Sequence, residues 1–340
     1  MRPFLYQRVA SIADAVAAAA PSGQPVPPTL APTQFLAGGT TLLDLMKLDV
    51  MQPQALVDIA DLGRAGPHVE RRGDALFLGA EMRMAEAADH PDLQRDYPML
   101  VQTLDLAASP QLRNMATLGG NVLQRTRCSY FRDPSWAACN KRNPGSGCAA
   151  LDGINRKHAV LGVSDQCIAT YAGDFAQALI ALDAVVEIAG SGGVRLIPFA
   201  ALHRAPGDTP YIETVLAPGD LITGFVLPVA PWTRRSVYVK VRDRESYEFA
   251  LAAAAVALDM GDDGIVNGAR IALGGVATTP WRAKAAEAAL AGKHIDQTSA
   301  RAAAEAAFAG AKTRDGNAYK PELGKRTLVR ALLQASQMSI

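Results

Sequence analysis

The chain has 340 residues, 49% of them hydrophobic, and a formal net charge of +1. That length and apolar content support two or three separate cores, and near-neutrality excludes a chain-wide surface for polyanions such as nucleic acid. No apolar run reaches the roughly 20 residues of a membrane span, and Ala15–Ala20 is too short, and too poor in basic flanks, for an export signal.

Phe4–Val9 reads as a short strand, and Ser11 with Asp14 forms a capping pattern that opens a helix running through Ala20. The proline-rich stretch Pro21–Pro32 ends it. Gln34–Ala37 is a short buried strand, followed at once by Gly38-Gly39-Thr40-Thr41 and an amphipathic helix over Leu42–Leu48. A strand entering a glycine turn that opens a helix gathers free backbone N–H groups and the helix dipole where a phosphate can sit. A plain strand-to-helix turn with a threonine cap is the alternative. Ala55–Ile59 and Ala75–Gly79 read as strands, and Met82–Ala88 and Tyr97–Ala107 as helices. Arg113–Asn121 then supplies a second glycine turn, Thr117-Leu-Gly-Gly-Asn121, with the same chemistry as the first. Two such turns suit the two ends of a diphosphate. Neither follows G-x-G-x-x-G or G-x-x-x-x-G-K-[ST], so a Rossmann dinucleotide site and a P-loop are unsupported.

All four cysteines, Cys128, Cys139, Cys148 and Cys167, fall within 40 positions, spaced C-x10-C-x8-C-x18-C among Pro, Gly, Asn and Arg. Four thiolates gathered by an irregular loop satisfy an iron–sulfur cluster, a zinc ion or two disulfides, and unligated thiols remain open. The close C-x2-4-C pair usual for zinc is missing. Seven basic residues against two acidic ones between Asn121 and Val160 make this a local basic island. Basic neighbours stabilise thiolates and an anionic cluster.

Beyond the cysteines, Asp174 is placed to cap a helix through Leu182, and Ala184–Ile188 and Leu221–Leu227 read as strands. The pattern changes after Pro228–Trp232. Strands over Ser236–Val241, Phe249–Leu258 and Ala269–Val276 precede helices over Trp281–Ala291, Ser299–Ala311 and Pro321–Met338, a separate α+β unit. There is no G-x-S-x-G elbow and no H-E-x-x-H, and the five histidines are scattered. Group-transfer chemistry has no carrier in view, whereas electron transfer needs cofactors rather than reactive side chains.

Three stretches, Leu36–Lys47, Arg113–Asn121 and Lys240–Leu251, resemble the FAD-binding subunit of the molybdenum hydroxylases, the xanthine dehydrogenase family, over nearly the whole chain. The segments around Cys128, Cys139–Arg142, Pro144–Cys148 and Cys167–Thr170 are similar to the members with an additional [4Fe–4S] cluster, the aldehyde oxidoreductases above all and also the hydroxybenzoyl-CoA reductases. The resemblance implies an α+β chain with the FAD-binding fold of the vanillyl-alcohol oxidase and CO dehydrogenase flavoprotein type. Its two α/β subdomains would cover residues 1–60 and 61–231, the latter with a cluster insertion at about 122–170, and a C-terminal α+β domain would cover 232–340.

It also implies site residues. Ala37, Gly38, Gly39, Thr40, Thr41, Leu42 and Leu43 would wrap the FAD diphosphate, and Thr117, Gly119, Gly120 and Asn121 would hold its other side. Asp174 would lie near the ribityl chain, Ile222 against the isoalloxazine, and Lys240 near the flavin. Cys128, Cys139, Cys148 and Cys167 would ligate the cluster. The chain would be the middle subunit of a heterotrimer. A large partner would bind molybdenum cofactor and a small one two [2Fe–2S] clusters. With no address of its own, the chain would be cytoplasmic, or periplasmic by co-export with a signal-bearing small subunit. Other molybdenum hydroxylases and, in a different class, a zinc-stabilised binding module are the alternatives.

Overall fold

The structure, a computed structural model, describes residues 1–20, 26–64 and 68–340. The first five residues of the proline-rich stretch, 21–25, lie outside that range. In chain order the first layer contains β1 (Leu5–Arg8), α1 (Ile12–Ala18), β2 (Thr33–Leu36), α2 (Leu42–Lys47) and β3 (Ala55–Asp58). Its three strands are parallel in the order β1-β3-β2, with Leu5 and Thr33 both in register with Ala55. Parallel neighbours need crossover connections, which α1 and α2 supply. Ser11 caps α1 as its spacing predicts, accepting the Asp14 N–H at 3.1 Å and donating its hydroxyl to the Asp14 carboxylate at 2.7 Å.

The second layer comprises β4 (Val69–Arg72), β5 (Ala75–Gly79), α3 (Met84–Asp89), α4 (Pro91–Asp96), α5 (Pro98–Asp105), α6 (Pro110–Arg113), α7 (Leu118–Val122), α8 (Ser129–Arg132), α9 (Phe175–Ala181), β6 (Val185–Gly190), β7 (Gly193–Pro198) and β8 (Leu221–Pro228). Its strands form an antiparallel sheet in the order β4-β5-β8-β6-β7. Helix α9 is apolar on all sides apart from Gln177, and every one of its residues is buried. The sequence reading passed over β4 and β7. Both are edge strands, β4 charged at three of its four residues and β7 exposed at five of its six, so neither carries the apolar face that marks a strand.

The third layer holds β9 (Ser236–Val241), β10 (Ala252–Met260), β11 (Val266–Gly274), β12 (Trp281–Arg282), α10 (Lys284–Leu290), α11 (Gln297–Phe308) and α12 (Lys320–Ser336). The antiparallel order is β12-β11-β10-β9. Successive residues of β10 point to opposite faces. Ala253, Ala255 and Ala257 join the core of the second layer, while Ala252, Ala254, Val256 and Leu258 join the core formed with the C-terminal helices, where β10 packs on α12. Burial on both faces explains the unbroken apolar run there, with alanine dominant where layers approach closely. The shared face holds the end of β9 against the start of α9.

Candidate cofactor sites

The first glycine turn links β2 to α2. Gly39 has φ +72°, a conformation open to glycine at no steric cost, and its carbonyl accepts the Leu43 N–H at 3.1 Å to start the helix. A Cβ on Gly38 would overlap the carbonyl oxygen of Met115. The two glycine turns therefore touch, although 77 positions separate Gly38 from Met115. Thr41 stands at the N-cap of α2, and its side chain makes no capping bond.

In the second turn Thr117 is buried and caps α7 by accepting the Gly120 N–H at 3.1 Å. The Gly119 N–H donates to the Ala80 carbonyl at 2.8 Å, and a Cβ on Gly119 would lie 3.1 Å from that of Ala80. Asn121 donates its amide to Met84 Sδ at 3.3 Å, and its Oδ1 is buried with no protein partner. Beside this turn, burial, to which Asp58 adds and which Arg83 opposes, pushes the Glu81 carboxyl up to about 7, and Glu81 Oε2 is likewise unpartnered. Orphaned polar atoms beside a tight backbone are what a polar ligand would satisfy.

Asp174 and Lys240, 66 positions apart, form a buried ion pair with Lys240 Nζ 2.7 Å from Asp174 Oδ2 and side-chain exposures of 1% and 5%. Lys240 also donates to the Leu106 carbonyl at 2.9 Å, and the Tyr238 hydroxyl donates to Asp174 Oδ1 at 2.5 Å. Asp174 occupies the N-cap position of α9, yet its side chain makes no capping bond there, so the capping role read from the sequence gives way to this cluster. Burial first, and then Asp174, push the Tyr238 phenol well above its ordinary range. Tyr238 was missed; its spacing of two from Lys240 on a strand was the available signal. Ile222 lies in the core of the five-stranded sheet with Leu78, Ile188 and Phe225.

The four cysteines line one small enclosed cavity. Cys128 immediately precedes α8, Cys139 and Cys148 face each other as an isolated antiparallel bridge, and Cys167 closes a turn from Ser164. All four are free thiols, so the disulfide reading is set aside. Backbone N–H groups converge on the sulfurs: those of Tyr130 and Phe131 on Cys128, of Lys141 and Arg142 on Cys139, of Ala150, Leu151 and Ile168 on Cys148, and of Ala169 on Cys167. Burial pushes the Cys128 thiol up to about 11 and raises Cys139 as well. Cys167 donates to Cys148, which lowers Cys148 to about 6 and, with burial, holds Cys167 well above the ordinary thiol range.

Residues 2–230 match the FAD binding domain in molybdopterin dehydrogenase, and residues 237–335 the CO dehydrogenase flavoprotein C-terminal domain. The chain belongs to the FAD-binding subunits of the molybdenum hydroxylases. Among them it is similar to the aldehyde oxidoreductase FAD-binding subunit PaoB of Escherichia coli (strain K12), with 46% identity over 98% of this chain and 99% of that one. It is 30% identical to the carbon monoxide dehydrogenase medium chain of Afipia carboxidovorans, over 98% of this chain and 96% of the relative. Among solved structures, reconstituted CO dehydrogenase from Oligotropha carboxidovorans superposes with a TM-score of 0.75 at 25% identity, covering 100% of both chains.

As a molybdenum-hydroxylase FAD-binding subunit, the chain is part of an oxidoreductase complex, which decides against the zinc-stabilised binding module. A cuboidal cluster takes one thiolate on each iron corner, and four cysteines lining one cavity supply that donor set. Charge fits as well. Lys141 and Arg142 are buried and Arg125 is nearly so, and the nearby carboxylate of Glu213 pairs with Arg125 and with Lys141 at 2.9 Å. Three buried cations against one carboxylate leave an excess that an anionic group in the cavity would balance. Arg142 spends its guanidinium on carbonyls, donating to those of Tyr130 at 2.6 Å and Phe131 at 2.7 Å.

Proposed function

We propose that this chain is the electron-transfer subunit of an aldehyde oxidoreductase of the molybdenum hydroxylase type, and that it holds one FAD and one [4Fe–4S] cluster. The observation that carries this reading is a single hydrophobic cluster joining the two sites. Leu42, Leu43, Leu45 and Met46 of the first glycine turn and its helix pack with Phe131, Cys128 and Cys139. Asp44 of the same helix pairs with Arg132 at 2.9 Å and Arg127 at 3.3 Å. The cysteine segment is thus built onto the helix that follows the glycine turn. Identity of 46% to an aldehyde oxidoreductase subunit, spread over nearly the whole chain, supports the choice of aldehydes over other substrates of the family.

In this reading Ala37–Leu43 lie along the FAD diphosphate, with Gly38 and Gly39 allowing close backbone approach. Thr117, Gly119, Gly120 and Asn121 hold the opposite side, with Asn121 Oδ1 free to accept. Lys240, fixed by Asp174, and Ile222 flank the flavin end. Cys128, Cys139, Cys148 and Cys167 each bind one iron. The flavin supplies exchange between one-electron carriers and a two-electron acceptor. Residues 1–60, 61–231 and 232–340 form the three domains, with the cluster insertion at about 122–170. The partners are a large molybdenum-cofactor subunit and a small [2Fe–2S] subunit, the latter feeding this chain. Among the described residues no helix is long and apolar enough to cross a membrane.

Adding an aldehyde substrate to the anaerobic complex tests this. The expected result is bleaching of flavin absorbance together with appearance of a reduced four-iron signal. A complex that oxidises the aldehyde while this chain shows neither change would overturn the reading.

A further inference from the structure

His158 Nε2 lies 3.2 Å from Cys128 Sγ. The imidazole is 6% exposed, its ring is tilted against Tyr130 with centroids 6.2 Å apart, and its Nδ1 is buried without a partner. Lys320, a buried neighbour, uses its Nζ to donate to the carbonyls of Lys157 at 3.0 Å and Gly275 at 2.6 Å, not to the ring. A proton on Nδ1 would have no acceptor and would aim the Nε2 lone pair at sulfur. A proton on Nε2 pairs that nitrogen with the sulfur whenever the sulfur is a thiolate bound to metal, since such a sulfur only accepts, and leaves only the Nδ1 lone pair without a donor. The same pair makes the reverse bond, S–H to Nε2, when Cys128 is a free thiol.

We infer that His158 is a positioning residue for the cluster: its Nε2–H donates to the Cys128 sulfur and raises the reduction potential of the iron site that Cys128 binds. This rests on the [4Fe–4S] reading above. Hydrogen bonds to cluster sulfurs withdraw electron density and stabilise the reduced, more negative state. Cys128 is the cysteine that shares the hydrophobic cluster with α2 and also borders the Tyr130–Ile168 cluster, so the effect falls on the side of the cluster packed toward the glycine turn.

The test uses the intact complex carrying His158→Phe, which keeps a ring and removes the donor, and His158→Gln, which restores an N–H. Iron content and a potentiometric titration followed by electron paramagnetic resonance are measured for each. Wild-type complex without about four irons on this chain would refute the underlying cluster reading, separately from the role of His158. With iron retained, the phenylalanine variant is expected to show a lower midpoint, by about 59 mV for each tenfold change in a one-electron equilibrium, and the glutamine variant to recover part of the shift. A phenylalanine variant with full iron and the wild-type midpoint overturns the inference. If that variant loses iron, retention of iron at a near-native midpoint in the glutamine variant supports a donor role. Loss in both shows that the ring is needed only for shape and overturns it.

Discussion

Gly38 is where the chain leaves least room. Because the obstacle to a Cβ is the backbone carbonyl of Met115, no side-chain rotation relieves it. Gly38→Ala should therefore cost about 1–3 kcal/mol of stability, read from a denaturant midpoint, and release FAD; a variant with full flavin occupancy would contradict the assignment. Lys240 and Asp174 obey a different rule. Removing one member of a buried pair strands the other charge, so Lys240→Ala should cost about 3–5 kcal/mol. The double variant with Asp174→Ala should recover part of that loss, and additive costs in the same denaturant series would deny the coupling. Cys148→Ser tests the third kind of residue. It should drop iron from about four per chain toward zero while leaving FAD in place.

At the level of elements, the two cofactor sites are coupled through helix α2 and the short helix α8. Phe131, fully buried between them, is expected to cost about 3–5 kcal/mol when cut to alanine and to lose flavin and iron together. Loss of iron alone, as in Cys148→Ser, would mean the sites are packed independently. Much of this was legible beforehand. The glycine turns announce themselves because backbone approach demands residues that no other position needs, and the cysteines because four of them fall in one irregular stretch. Asp174 and Lys240 could be named only through resemblance, since nothing local says that a helix start and a strand end 66 positions apart will meet. The edge strands β4 and β7 carry no apolar face to betray them. The join between the turn helix and the cysteine segment, like the His158 contact, arises from tertiary packing and left no periodic trace in the sequence.

Across the whole molecule, buried polar groups set how it responds to acid. Burial holds His203 neutral, its pKa lowered from 6.5 to about 4, with Nε2 3.2 Å from the Val122 carbonyl. The unfolded chain therefore binds this proton first, and stability should fall as pH drops from about 6.5 toward 4. The advantage of wild type over His203→Leu should shrink through that window in thermal unfolding curves; a constant gap would show that His203 does not titrate as described. Glu213 adds to the same trend. Burial would raise its pKa, but the charges of Arg125 and Lys141 prevail and hold it below 4.5, so its contribution is present above that value and lost in stronger acid. The account of the whole chain, however, stands on two cofactors sharing one polypeptide of 35.8 kDa. Native mass spectrometry of the untagged complex, followed by release of this chain, tests it most directly. The predicted result is one FAD and one four-iron cluster with this chain, in a complex with a large and a small partner; a chain that flies alone, or in complex but free of flavin and iron, would contradict it.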